Sequence, residues 1–123
     1  MRLIRSLSTY NDVRKKTIVL DFDGVINDYS GWKGEGHLGK PIPGFREFLD
    51  KANREGYIVV VHSASDSTSV EKWLKKYNFE CPVMVEKPAG CVYVDDNALL
   101  FEGSFTGLLD KIKQHKPWWE KEE

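Results

Sequence analysis

The stretch Thr17-Ile18-Val19-Leu20-Asp21-Phe22-Asp23-Gly24 decides how this chain is read. Its opening residues are β-branched or aliphatic, the pattern of a buried strand, and two carboxylates and a glycine follow where that strand must end. A second run of the same character is Tyr57-Ile58-Val59-Val60-Val61, and two shorter ones are Pro82-Val83-Met84-Val85 and Cys91-Val92-Tyr93-Val94. Continuous apolarity without alternation predicts strands covered on both faces, as in a parallel sheet. Helical spacing appears at Phe45/Phe48/Leu49/Ala52, Val70/Trp73/Leu74/Tyr77 and Phe105/Leu108/Leu109/Ile112, and these stripes read as core. The first pattern stops at Gly56, and the second opens with the capping-box spacing Thr68-Ser69-Val70-Glu71. Strands alternating with helices predict an α/β fold: one doubly wound, Rossmann-like parallel sheet with right-handed crossovers and helices on both faces.

The 123 residues are 41% hydrophobic and 30% charged, which fits one globular domain over 1–123 with a core from about 16 to 115. A formal net charge of -1 removes the electrostatic argument for a generic nucleic-acid or membrane-surface binder. Cys81 and Cys91 make neither a disulfide framework nor a zinc site. No apolar run approaches the ~18 residues of a membrane span, so the expectation is a soluble, cytoplasmic protein with reduced thiols and no membrane partner. The composition says nothing of oligomeric state.

In open α/β sheets the ligand site lies beyond the carboxyl ends of the strands. Here those ends carry Asp21-Phe22-Asp23-Gly24, His62-Ser63, Glu86-Lys87-Pro88 and Asp95-Asp96-Asn97. Singly, each residue has an ordinary explanation as a turn or cap. Together they put four carboxylates on one edge, which repel one another unless cations compensate. A divalent metal and Lys87 are the expected compensation. All-oxygen donors without His or Cys suit Mg²⁺, which keeps waters for itself and for a phosphate.

Asp21-Phe22-Asp23-Gly24-Val25-Ile26, Ser63 after an apolar strand, Lys87-Pro88 and Val92-Tyr93-Val94-Asp95-Asp96 together resemble the four motifs of the haloacid dehalogenase (HAD) superfamily. The resemblance runs from about Lys16 to Leu109 and is nearest to small, capless phage and bacterial members. It implies a Mg²⁺-dependent phosphomonoester hydrolase that works through an aspartyl-phosphate. Asp21 would be the nucleophile, and Asp23 would protonate the leaving oxygen and later take a proton from the hydrolytic water. The metal would be held by Asp21, the Asp23 carbonyl and Asp96, with Asp95 beside them or exchanging roles. Ser63, Lys87 and the turn amides, that of Gly24 included, would hold the phosphoryl oxygens. Lys87 and Asp95 are only eight residues apart, where many relatives place a helix, so Glu86 or no cation at all stays open as the alternative to Lys87. Val25 stands where Thr is commoner.

The connection 27–44 is a flap rather than a cap domain, and Trp32, Lys33 and His37 on it are candidate substrate contacts alongside an ordinary solvated glycine loop. An open cleft favours large or exposed phosphoryl groups; nucleotides, polynucleotide ends, sugar phosphates and phosphoproteins all stay open as substrates. His62 and His115 read as structural or exposed, and Lys116-Pro117-Trp118-Trp119 reads as packing back on the domain. The alternative from another class is a non-catalytic or phosphoryl-accepting regulatory domain on the same scaffold. A receiver-type order, with the acidic pair first and a lone Asp later, is the reverse of this chain's. A P-loop kinase is excluded by the lack of GxxxxGK[ST].

Overall fold

The computed structural model describes residues 12–29, 33–34, 38–63 and 66–120. Four strands, β1 (Thr17–Asp21), β2 (Ile58–His62), β3 (Val83–Met84) and β4 (Val92–Val94), form one sheet in the order β3-β2-β1-β4. Every pairing is parallel. Helices α1 (Phe45–Arg54), α2 (Ser67–Lys76) and α3 (Leu108–Gln114) accompany them, and the described residues 12–15 are helical as well. The expected α/β parallel sheet is therefore present. Its first two strands match the two long apolar runs, whereas β3 keeps only two residues of its run.

Side chains alternate between the faces of a strand, so Leu20 shares a face with Val59 and Val61 while Val19, Val60 and Asp21 point the other way. The main cluster of buried residues lies on the first face. There Leu20, Phe22, Val59 and Val61 meet Phe45, Leu49 and Ala52 of α1 and Val70, Trp73 and Leu74 of α2. Phe22 is completely buried and meets Trp73 edge-on, with ring centroids 5.0 Å apart. Burying such a side chain stabilises the fold by roughly 1.5–3 kcal/mol.

The helix boundaries follow local chemistry, with one correction. Helix α1 runs to Arg54, and Gly56 follows it at φ 89°, a left-handed conformation that a side chain would disfavour. Helix α2 begins two residues earlier than the Thr68 box implies. Its N-cap is Asp66, whose Oδ2 accepts from the Ser69 amide (3.2 Å) and hydroxyl (3.0 Å). Asp caps as well as Ser or Thr, and the earlier start adds two helical residues, Ser67 and Thr68.

The expectation of helices on both faces is met on one face among the described residues, since α1 and α2 share one cluster. The β3–β4 crossover is residues 85–91, too short for a helix that packs. It is tied to the opposite face by His62 Nε2, 3.1 Å from the Val85 carbonyl oxygen, and by the Cys91 amide, which donates to Thr17 at 2.9 Å. The third predicted core stripe is corrected as well. Phe105 lies ahead of α3 and is 80% exposed, Leu109 and Ile112 are exposed, and α3 buries none of its residues. Strand β4 is likewise exposed along its length rather than covered on both faces. No described helix is long and apolar enough to cross a membrane.

Candidate metal and phosphate site

The sheet register builds the centre of the site. Leu20 pairs with Val94, so the next residues, Asp21 and Asp95, stand side by side as the two strands end. Neighbouring strands are about 4.8 Å apart. Asp21, Asp95 and Asp96 accordingly each bring a carboxylate oxygen to within 4.8 Å of the others. Five effects push the Asp21 carboxyl up to about 8: chiefly its burial, then a hydrogen bond with Asp96, then the charges of Asp95, of Asp96 and last of Asp23. Negative charge here exceeds what the chain neutralises. Three carboxylate oxygens in this arrangement could hold a metal ion.

The turn after β1 explains Gly24. Its φ is 82°, and a Cβ there would collide with the Asp96 carboxylate. Glycine lets the turn and the acidic loop touch. Its amide, however, donates to the Asn27 carbonyl at 2.9 Å, so Gly24 contributes close approach rather than the phosphate-binding N–H expected of it.

Asp23 stands apart from the three clustered carboxylates. Its Oδ1 accepts from Asn27 Nδ2 at 2.9 Å, while Asn27 Oδ1 accepts from the Gly39 amide at 2.8 Å. Asn27 is buried and so joins Asp23 to the returning leg of the flap. The flap's ends are closed by Asp28 N to Lys40 O and Ile42 N to Ile26 O, both 2.8 Å. Trp73, read as core, also donates its indole N–H to Gly39 at 2.9 Å and thereby tethers the flap to α2.

Ser63 is buried directly after β2, one residue beyond the Asp21–His62 pair. Lys87 lines a cleft of about 720 Å³ together with Asp21, His62, Tyr93 and Asp95. Its ammonium sits 4.5 Å from the centre of the Tyr93 ring. It forms none of the ion pairs among the described residues, which join Arg46 to Asp50 and Lys111 to Glu102. The Tyr93 hydroxyl in turn donates to the Pro88 carbonyl, which fixes the short crossover beside the cleft. Lys33 is exposed, and Trp32 and His37 lie outside the described residues.

The C-terminal residues enter the site directly. Trp118 donates its indole N–H to the Gly24 carbonyl at 2.8 Å, and Trp119 donates its own to Asp96 Oδ2. The Trp119 ring meets Tyr29 edge-on at 4.8 Å. Partial burial, and then the charges of Asp23 and Asp96, raise the Tyr29 hydroxyl above its ordinary value. His115 Nε2 lies 2.9 Å from Asn97 Oδ1 and pins the end of α3 to the acidic loop.

The expected packing-back of 116–119 thus holds, but its destination at the acids was not foreseen. Nor was the bridging role of Asn27. The signals were an Asn four residues after Asp23 and a tryptophan pair in a charged tail, and neither states a partner. Comparison of the chain with protein-family models, with curated proteins and with solved structures returned no match, so the functional reading rests on these residues themselves.

Proposed function

We propose that this chain is a Mg²⁺-dependent phosphomonoester hydrolase of the HAD type, working through an aspartyl-phosphate on Asp21 in a doubly wound domain. The observation that carries the reading is the Asp21–Asp95–Asp96 cluster at the strand ends, with the Asp21 carboxyl pushed up to about 8. That charge imbalance calls for a cation, and the all-carboxylate donor set favours a hard one. Bound there, Mg²⁺ would neutralise the acids and orient a phosphate.

The chain's own residues supply the remaining chemistry. An Asp21 carboxylate oxygen forms a bond to phosphorus as the bond to the ester oxygen breaks, and Asp23 gives that oxygen its proton. Water then attacks the same phosphorus, returns a proton to Asp23 and frees Asp21 with release of inorganic phosphate. Asn27 holds Asp23 at the rim of the cluster during both steps. Lys87 has a flexible stem that can swing from Tyr93 to a phosphoryl oxygen across the shared cleft, and Ser63, just after β2, would assist.

The test is release of phosphate from an aryl phosphate with and without Mg²⁺. Activity that EDTA abolishes and Mg²⁺ restores is expected, and Asp21→Asn should lower it by ~10³-fold or more. An EDTA-insensitive rate, or an equally active Asp21→Asn protein, overturns the reading. Accumulation of phosphorylated Asp21 without turnover would instead make this a phosphoryl-accepting regulatory domain.

A further inference from the structure

A second cleft of about 500 Å³ is lined by Gly24, Val25, Ile42, Val94 and Trp118 together with Asp95 and Asp96. Its lining is apolar apart from the two carboxylates. Trp118 is 58% exposed, and its indole N–H is held on the Gly24 carbonyl, so much of its ring lies open at the cleft among the described residues. The next residue supplies the anchor: Trp119 is bonded to Asp96 and packed on Tyr29. A preorganised aromatic face costs little ordering entropy when a ring stacks on it.

We infer that Trp118 is a specificity-determining residue, forming one wall of a leaving-group pocket for phosphomonoesters whose alcohol carries a planar ring, in particular nucleoside monophosphates. This rests on the phosphohydrolase reading above, because the phosphoryl group is what Asp21, Asp95 and Asp96 would engage through the cation. With the phosphate at the acids, the leaving group extends into the space bounded by Val25, Ile42, Val94 and the Trp118 ring. That space is larger than a single phenyl ring fills and takes a base together with its sugar. A linear alkyl or polyhydroxylated alcohol would find no hydrogen-bonding side chain among Val25, Ile42, Val94 and the occupied indole. A base gains stacking there whatever its identity, so the preference is for rings in general over any one base.

The experiment compares kcat/KM for adenosine 5′-monophosphate and glycerol 3-phosphate in the full chain with Mg²⁺, and measures adenosine binding by calorimetry. The nucleotide is expected to be favoured at least tenfold, and Trp118→Ala should reduce that ratio by about 10- to 100-fold, the range base–aromatic stacking spans. Trp118→Phe keeps a ring and should keep most of the preference, which separates stacking from collapse of the C-terminal segment. Adenosine should bind the parent and Trp118→Phe proteins and not Trp118→Ala. Hydrolysis of both esters with a ratio untouched by Trp118→Ala overturns the inference and leaves the phosphatase standing. Trp118-dependent adenosine binding without hydrolysis of any ester overturns the phosphatase and leaves the ring pocket. A 5′-phosphorylated oligonucleotide cleaved faster than the mononucleotide would overturn the assignment to free nucleotides in favour of nucleic-acid ends.

Discussion

The layer beneath α1 and α2 and the segment running from β4 through α3 are written in similar apolar residues and end up in opposite environments. Leu20, Phe22, Leu49, Val61 and Val70 are almost wholly buried, whereas Leu100 is 84% exposed and Leu109 63%. Both regions show helical or strand periodicity. What differs is the partner surface: β1, β2 and their two long connections supply it, and the seven-residue crossover to β4 does not. Apolar periodicity states which residues can be buried together, and the connection lengths decide whether anything arrives to bury them. The site lies on the seam. Asp21, Asp23 and Ser63 grow from the packed layer, while Asp95, Asp96, Trp118 and Trp119 come from the open segment. Damage to the first should therefore be read in stability, and damage to the second in the geometry of the site.

The sharpest way to break that contrast is Phe22→Ala. It removes a fully buried ring packed on Trp73 and should cost about 3–5 kcal/mol, measured by the denaturant midpoint. A loss below about 1 kcal/mol would mean the layer under the helices is no core.

A smaller effect is expected at the seam from pH. The fold raises the Asp21 carboxyl from 3.8 to about 8, so folding favours its protonated form. That contribution is complete below about pH 4 and is lost as pH rises toward 8. The melting temperature of the metal-free protein should accordingly decline across this window, and less so in Asp21→Asn, which has no proton to lose. Saturating Mg²⁺ should raise the melting temperature at pH 8, by the amount that binding to the folded state alone adds, about 2.7 kcal/mol at a hundredfold excess over Kd. Identical pH profiles for the parent and variant would remove the charge imbalance from the account.

The smallest effect belongs to the open segment. Ile112→Ala on α3 should change stability by no more than about 0.5 kcal/mol, because the side chain is already half in water. A loss above about 2 kcal/mol would show that this stripe is covered in solution, for example by a second copy of the chain.

Much of the candidate site was legible because its signals are local. An apolar run states where a strand lies, the next residue states what its end carries, and Asp21, Asp23, Ser63, Lys87, Asp95 and Asp96 follow from that rule. Periodicity likewise located α1 and α2, with an error of two residues at the Asp66 cap, where several good capping residues stand in succession. The stripe at Phe105–Ile112 misled for the same reason that the others succeeded: period alone carries no information about a distant partner.

The sequence by itself determined the parallel α/β sheet, the two packed helices and the acidic strand ends, since each depends on residues within a few positions of one another. Only the tertiary structure decided which carboxylates meet. The pairing of Leu20 with Val94 sets Asp21 against Asp95, across more than seventy residues of chain. Only the tertiary structure placed Trp118 on Gly24, Trp119 on Asp96 and Lys87 on Tyr93. Those contacts arise from strand register and chain return, which are properties of the whole packed molecule that no window of sequence contains.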